Sequence, residues 1–234
     1  LSVALTACGG GGASNPATST TAPRTLSGNY VFSVVGTDPA DGDYAVVGSF
    51  VADGKGNIAS GVADYNLGSG IDQNVALTGT YTLSGSTATI DLTDSLSVKD
   101  TFTASLVSSG NAGIQSFDGT GSGVLYPQIP AGFSTPGTYS FAVTGEQQGT
   151  LSGSGTFVVG SANTFTSGNL TYQDGSTLTN YATLTGFTNP AQKTSRGQAA
   201  LSGNNLSYYV LSPTQILMLG LDPRALLVIQ AQKQ

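Results

Sequence analysis

The chain carries two copies of one pattern, and the pattern steps in twos. GNYVFSVVG (Gly28–Gly36) matches GTYSFAVTG (Gly137–Gly145), and GSFVADGKGNIASGVADY (Gly48–Tyr65) matches GTFVVGSANTFTSGNLTY (Gly155–Tyr172). LTGTYTLSGSTATIDL (Leu77–Leu92) matches LTGFTNPAQKTSRGQAAL (Leu184–Leu201), and Thr101–Gln128 lies against Leu206–Gln232. The order is kept throughout, and each copy is roughly 100 residues long, the size of one small domain. The division that follows is a first β-unit over 26–128, a connector over 129–136 containing Pro130 and Pro136, and a second β-unit over 137–234.

Inside each copy apolar and small polar residues alternate. Tyr30, Phe32 and Val34 interleave with Val31, Ser33 and Val35; Tyr139, Phe141 and Val143 with Ser140, Ala142 and Thr144; Phe102, Ala104 and Leu106 with Thr101, Thr103 and Ser105. This is the signature of antiparallel strands with one face in a core and one in water. Short turn signals such as ADGKGN, LSGS, SSGN, SGNN and LSPTQ separate the strands. The spacing predicts an all-β protein of two tandem antiparallel meander units, about eight strands each. An up-and-down β-barrel of the calycin-like kind is favoured over a β-sandwich, because closure removes free sheet edges. Large inward residues in the first strand of each unit predict barrels filled by their own side chains. Two runs break the alternation, ILMLGL (Ile216–Leu221) and ALLVI (Ala225–Ile229). Strands apolar on both sides are buried on both sides, which points to the place where the units pack.

Composition removes several function classes. Only 9% of residues are charged and the net charge is −6, with seven Lys plus Arg scattered singly. A nucleic-acid face needs a basic stripe, so nucleic acid is not an expected partner. The chain has no His and one Cys. Ser-His-Asp and Cys-His chemistry are therefore impossible within it, and zinc, copper or iron sites of the usual kind are not expected. Asp64, Asp91, Asp94, Asp100 and Asp118 are the carboxylates a glycosidase would draw on. None stands out as an inward carboxylate in an aromatic cleft, so the expectation is a protein that is not an enzyme.

The single cysteine sits in LTACGGGG, Leu5 to Gly12, after the short apolar run Leu1–Ala7. Leu5-Thr6-Ala7-Cys8 resembles the lipobox of bacterial lipoproteins. The resemblance implies that residues 1–7 are a signal-peptide remnant and that Cys8 becomes the lipidated first residue of the mature protein. The covalent lipid on Cys8 is then the one prosthetic group expected, and no cofactor is. Gly9 after the Cys implies sorting to the outer membrane rather than retention at the inner one. Residues 8–25, Gly-rich and then ASNPATSTTAP (Ala13–Pro23), read as the lipidated Cys and a flexible tether. The whole layout resembles uncharacterised lipoproteins with tandem Gly/Ser/Thr-rich β-repeats, a likeness that implies location and architecture and brings no activity.

Two further clusters are candidate sites. DPADGDY places Asp38, Asp41 and Asp43 in one loop as candidate Ca²⁺ ligands. Their spacing fits no calcium loop, and a solvated acidic loop is the stronger reading. Tyr208 and Tyr209 are adjacent, so a strand turns them to opposite faces and one should be exposed or at a mouth, as a candidate ligand contact, although for either ring alone a place in the core is the stronger reading. The functional expectation is a membrane-anchored lipoprotein of the cell envelope that acts by binding or adhesion, with a glycan or an envelope protein as partner. The alternative is a carrier of a small apolar ligand inside a barrel, and a carbohydrate-active enzyme comes last.

Overall fold

The computed structural model describes residues 25–39, 42–95, 97–106, 112–131, 135–146, 150–181, 183–188 and 196–234. Cys8 and Asp41 lie outside the described residues, as does nearly all of the expected tether. The described residues are strands and turns without a helix.

The first unit holds β1 (Ser27–Asp38), β2 (Gly42–Asp53), β3 (Asn57–Asn66), β4 (Ile71–Ser84), β5 (Thr87–Asp94), β6 (Lys99–Leu106), β7 (Ala112–Phe117) and β8 (Gly121–Pro127). Each pairs antiparallel with its sequence neighbour, and β8 returns to β1, so the sheet closes into a barrel. The second unit holds β9 (Gly137–Glu146), β10 (Thr150–Val159), β11 (Thr164–Asp174), β12 (Thr177–Tyr181), β13 (Gly186–Thr188), β14 (Arg196–Leu201), β15 (Asn204–Ser212), β16 (Gln215–Gly220) and β17 (Leu226–Lys233). Here β17 returns to β9 and β10 pairs β11, as in the first unit. The long β4, however, is replaced by two short pieces, β12 and β13, both on β11. Only Thr164–Phe187 and Phe165–Gly186 join β11 to β13. The second unit is therefore a half-closed barrel of eight strand positions.

The duplicated sequence builds duplicated packing. Phe32 stands opposite Gly48, and Phe141 opposite Gly155. A Cβ at either glycine would sit 2.6–2.7 Å from the end of that phenylalanine ring, so the strand is bare where the ring crosses it. Tyr30 stacks on Phe50 at 5.5 Å, and Tyr139 on Phe157 at 5.3 Å. In the first barrel ring contacts run from Tyr30 through Phe50, Phe32, Phe102 and Phe117 to Tyr44. This spine fills the barrel from one end towards the other. The end where β1 begins is plugged by Leu26, 1% exposed, whose carbonyl accepts a 2.7 Å hydrogen bond from the Tyr81 hydroxyl.

A third apolar cluster joins the units. The outward residues Val31, Ala45, Val47 and Val62 of β1–β3 pack on Tyr209, Leu211, Leu217, Leu219, Leu226 and Val228 of β15–β17. On β16, Ile216 and Met218 face the second core while Leu217 and Leu219 face the first unit. The two apolar runs are indeed buried on both sides, and the second face is the joint between the units.

Candidate functional site

Buried charge is where a sheet protein departs from packing alone, because an unpaired ion in a core is costly. Asp64 on β3 is fully buried. Its Oδ1 accepts Arg196 Nη2 at 2.6 Å and the Asn74 amide at 2.8 Å. Its Oδ2 accepts Arg196 Nε at 2.7 Å and the Tyr209 hydroxyl at 2.6 Å. Arg196 and Tyr209 are cross-strand partners on β14 and β15, so the second unit offers guanidinium and phenol side by side. Burial opposes the Arg196 charge, but the Asp64 carboxylate outweighs it and holds the guanidinium more firmly protonated. Burial, then Asp64, pushes the Tyr209 hydroxyl well above its ordinary range. Four donors occupy both carboxylate oxygens, which leaves Asp64 no capacity for a ligand. This cluster is a lock between units. Asn66 supports it, its amide donating to the carbonyls of Gly220 and Asp222 at 3.0 and 2.9 Å.

Tyr208 and Tyr209 thus differ from expectation. They do face opposite ways, but neither is exposed: Tyr208 lies in the second core and Tyr209 in the joint. The reason is that the outer face of β15 meets protein instead of water. Gly197, opposite Tyr208, leaves space for its ring.

The open end of the first barrel is different. There β1 ends, β2 begins, and the turns between β3 and β4, β5 and β6, and β7 and β8 converge around a hollow of about 230 Å³. Tyr44, Tyr65 and Phe117 form its aromatic wall, and Asp38, Asp100 and Asp118 its carboxylates. The Tyr44 ring lies 6.0 Å from Phe117, and its hydroxyl is 3.1 Å from Thr120 Oγ1. Asp100, 8% exposed, accepts the Tyr65 hydroxyl at 2.9 Å. Burial, with Asp118 and Asp94 nearby, pushes the Asp100 carboxyl up to about 6 despite that bond. Burial and Asp100 also drive the Tyr65 hydroxyl upward. Asp118 is set by a two-residue turn, Asp118-Gly119, in which both residues have positive φ, and its Oδ1 accepts the Thr101 amide at 2.7 Å.

A second hollow, about 340 Å³, lies just outside this mouth, between the units. The ends of β1 and β2 form the wall between the two spaces: Tyr44 borders both. Asp38 lines the mouth, whereas Asp43 lines the outer hollow and accepts the Thr37 hydroxyl at 2.6 Å. The two candidate calcium ligands among the described residues therefore serve different spaces. Among the described residues no three His, Cys, Asp or Glu side chains converge as a metal's ligands would. Inside the second unit a hollow of only about 80 Å³ opens beside β12.

In the sequence Asp100 and Asp118 stand only as carboxylates a glycosidase would draw on, with nothing to join them at one end of a barrel. The usable signal was the Asp-Gly pair at 118–119 between two apolar runs, which marks a hairpin and so a barrel end.

No family model and no curated protein matches the chain. Two solved structures are similar over most of their lengths. One is an AttH candidate from Nitrosomonas europaea, at 6% identity, covering 88% of this chain and 92% of that one, with a TM-score of 0.29. The other is kievitone hydratase from Nectria haematococca, at 9% identity, 91% and 90% coverage and a TM-score of 0.26. Both scores are too low to carry fold or function from those proteins to this one.

Proposed function

We propose that this is a lipid-anchored envelope protein that acts by binding, without chemistry, and that its ligand site is the mouth of the first barrel. The observation that carries the site is a contrast along one axis. The barrel is packed by aromatic rings and plugged at Leu26, yet at the other end it opens into a hollow with built polar groups. A ligand sealed inside a barrel is disfavoured: aromatic rings fill the first, and the hollow inside the second holds about 80 Å³ against about 230 Å³ at the mouth. The chain enters the first unit at the plugged end, opposite the mouth.

Two measurements test this. Growth with a labelled fatty acid should mark the protein and leave a Cys8→Ser variant unmarked; an unmarked parent protein removes the anchor. A fragment screen by NMR on the full chain should shift resonances of Tyr44, Phe117 and Thr120; shifts elsewhere, or none, remove the site. A second reading, adhesion, draws on the edge strand β12, where Leu178 and Tyr181 are exposed at 64% and 45%.

A further inference from the structure

We infer that the mouth of the first barrel takes a small organic cation, an ammonium or alkylammonium group seated among the rings of Tyr44, Tyr65 and Phe117 and faced by Asp38, Asp100 and Asp118. The inference rests on the mouth being the ligand site. It names the class of ligand from the chemistry of the wall.

The sign of the charge comes first. The lining side chains include three carboxylates and no Lys or Arg. The neighbouring Lys99 is exposed, on the opposite side of β6 from Asp100. Among the described residues Asp100 forms no ion pair with a basic side chain, although it is more than nine-tenths buried. A hollow with one sign of charge and low-dielectric walls concentrates counter-charge.

The second unit supplies an internal control. At its corresponding hairpin, between β16 and β17, Asp222 is paired with Arg224 two residues on, at 2.8 Å. That carboxylate is neutralised by its own turn. In the first unit the same place reads Asp118-Gly119-Thr120, with no cation.

The kind of cation follows from the rest of the wall. A hard metal ion wants six or more oxygens converging at one point, and the carboxylates here do not converge. Aromatic faces attract a weakly hydrated cation through their quadrupoles, and alkyl groups on nitrogen fit the apolar parts of the wall at Val46, Leu67 and Val98. An anion meets the like charges of Asp100 and Asp118, and a neutral apolar ligand leaves Asp100 buried with nothing gained.

The test is calorimetric titration of the full chain, in detergent, with choline, tetramethylammonium and putrescine. The uncharged isostere 3,3-dimethylbutan-1-ol is the control. At least one cation should bind saturably at pH 7.5, and at least tenfold more tightly than the isostere. Asp100→Asn should weaken it about tenfold and Asp118→Asn, in an exposed turn that leaves the fold intact, about threefold. The groups facing Asp100 are Asp38, Asp94, Asp118, Tyr44 and Tyr65, so lowering the pH to 5.0 should weaken the cation without strengthening the isostere. Equal binding of cation and isostere overturns the cation and leaves the site standing. Binding unchanged in Asp118→Asn and at pH 5.0 also overturns the cation. Binding of none of the four overturns both.

Discussion

The outer faces of β1–β3 and β9–β11 occupy equivalent places in two copies of one unit, and they are written in different alphabets. The first carries Val31, Ala45, Val47 and Val62; the second carries Ser140, Ser152, Ser154 and Asn169. The first set is buried against the other unit, while Ser152, Ser154 and Asn169 are exposed. Asp64, locked under Arg196, has Thr171 as its counterpart, an exposed residue bonded to Asn180. The cores, by contrast, are nearly the same: Tyr30, Phe32 and Phe50 repeat as Tyr139, Phe141 and Phe157. Duplication kept the inside, because each barrel must fill itself. It diverged on the outside, where one copy meets protein and the other meets water. A sticky face on both copies would have let units add end to end without limit.

Substitutions can break this comparison in graded steps. The largest effect is expected from Arg196→Ala, which strands the Asp64 charge in a dry joint. Denaturant unfolding should show a loss of about 3–5 kcal/mol; a loss under about 1 kcal/mol would mean the units are only loosely joined. Next is Val47→Ser, which gives the first face the second face's residue and should cost about 2–3 kcal/mol. Its mirror, Ser154→Val, should stay within about 0.5 kcal/mol. Gly48→Ala and Gly155→Ala test how far the cores are alike: both push a methyl at a phenylalanine ring, but Gly155→Ala also meets the Asn169 backbone carbonyl, so Gly48→Ala should cost about 1–3 kcal/mol and Gly155→Ala more. Asp100→Asn acts through pH. The folded-state pKa of this carboxyl is raised, so the native state holds its proton longer than the unfolded chain does, and stability falls as pH rises from about 4 through about 6. The variant should therefore melt higher than the parent at pH 7.5, by roughly 2–4 °C, and match it near pH 4.

The cores and the meander were legible because they are local. A period of two and a turn every few residues say which side of a strand is inside, and Tyr30, Phe32 and Val34 obey. The joint was half legible: ILMLGL and ALLVI announced a second buried face without naming what covers it. Asp64 was not legible, since its partner is 132 residues away and alternation alone sends it to water. The clue lay between the copies, in valines standing where the duplicate has serines. The mouth was missed for a similar reason. Tyr65 on β3, Asp100 on β6 and Asp118 in the turn after β7 meet only when the barrel closes.

The first strand is zipped on both edges. β1 runs beside β2 over twelve residue pairs and beside β8 over seven, and the polypeptide reaches it at the plugged end. A pull on that incoming segment, against a load held at the far rim, is directed lengthwise along the strand. Both ladders then resist in shear, all rungs together, instead of peeling one rung at a time. Such a barrel gives way abruptly at high force, whereas tension on Gln234 would act first on β17, a strand of the incompletely closed unit.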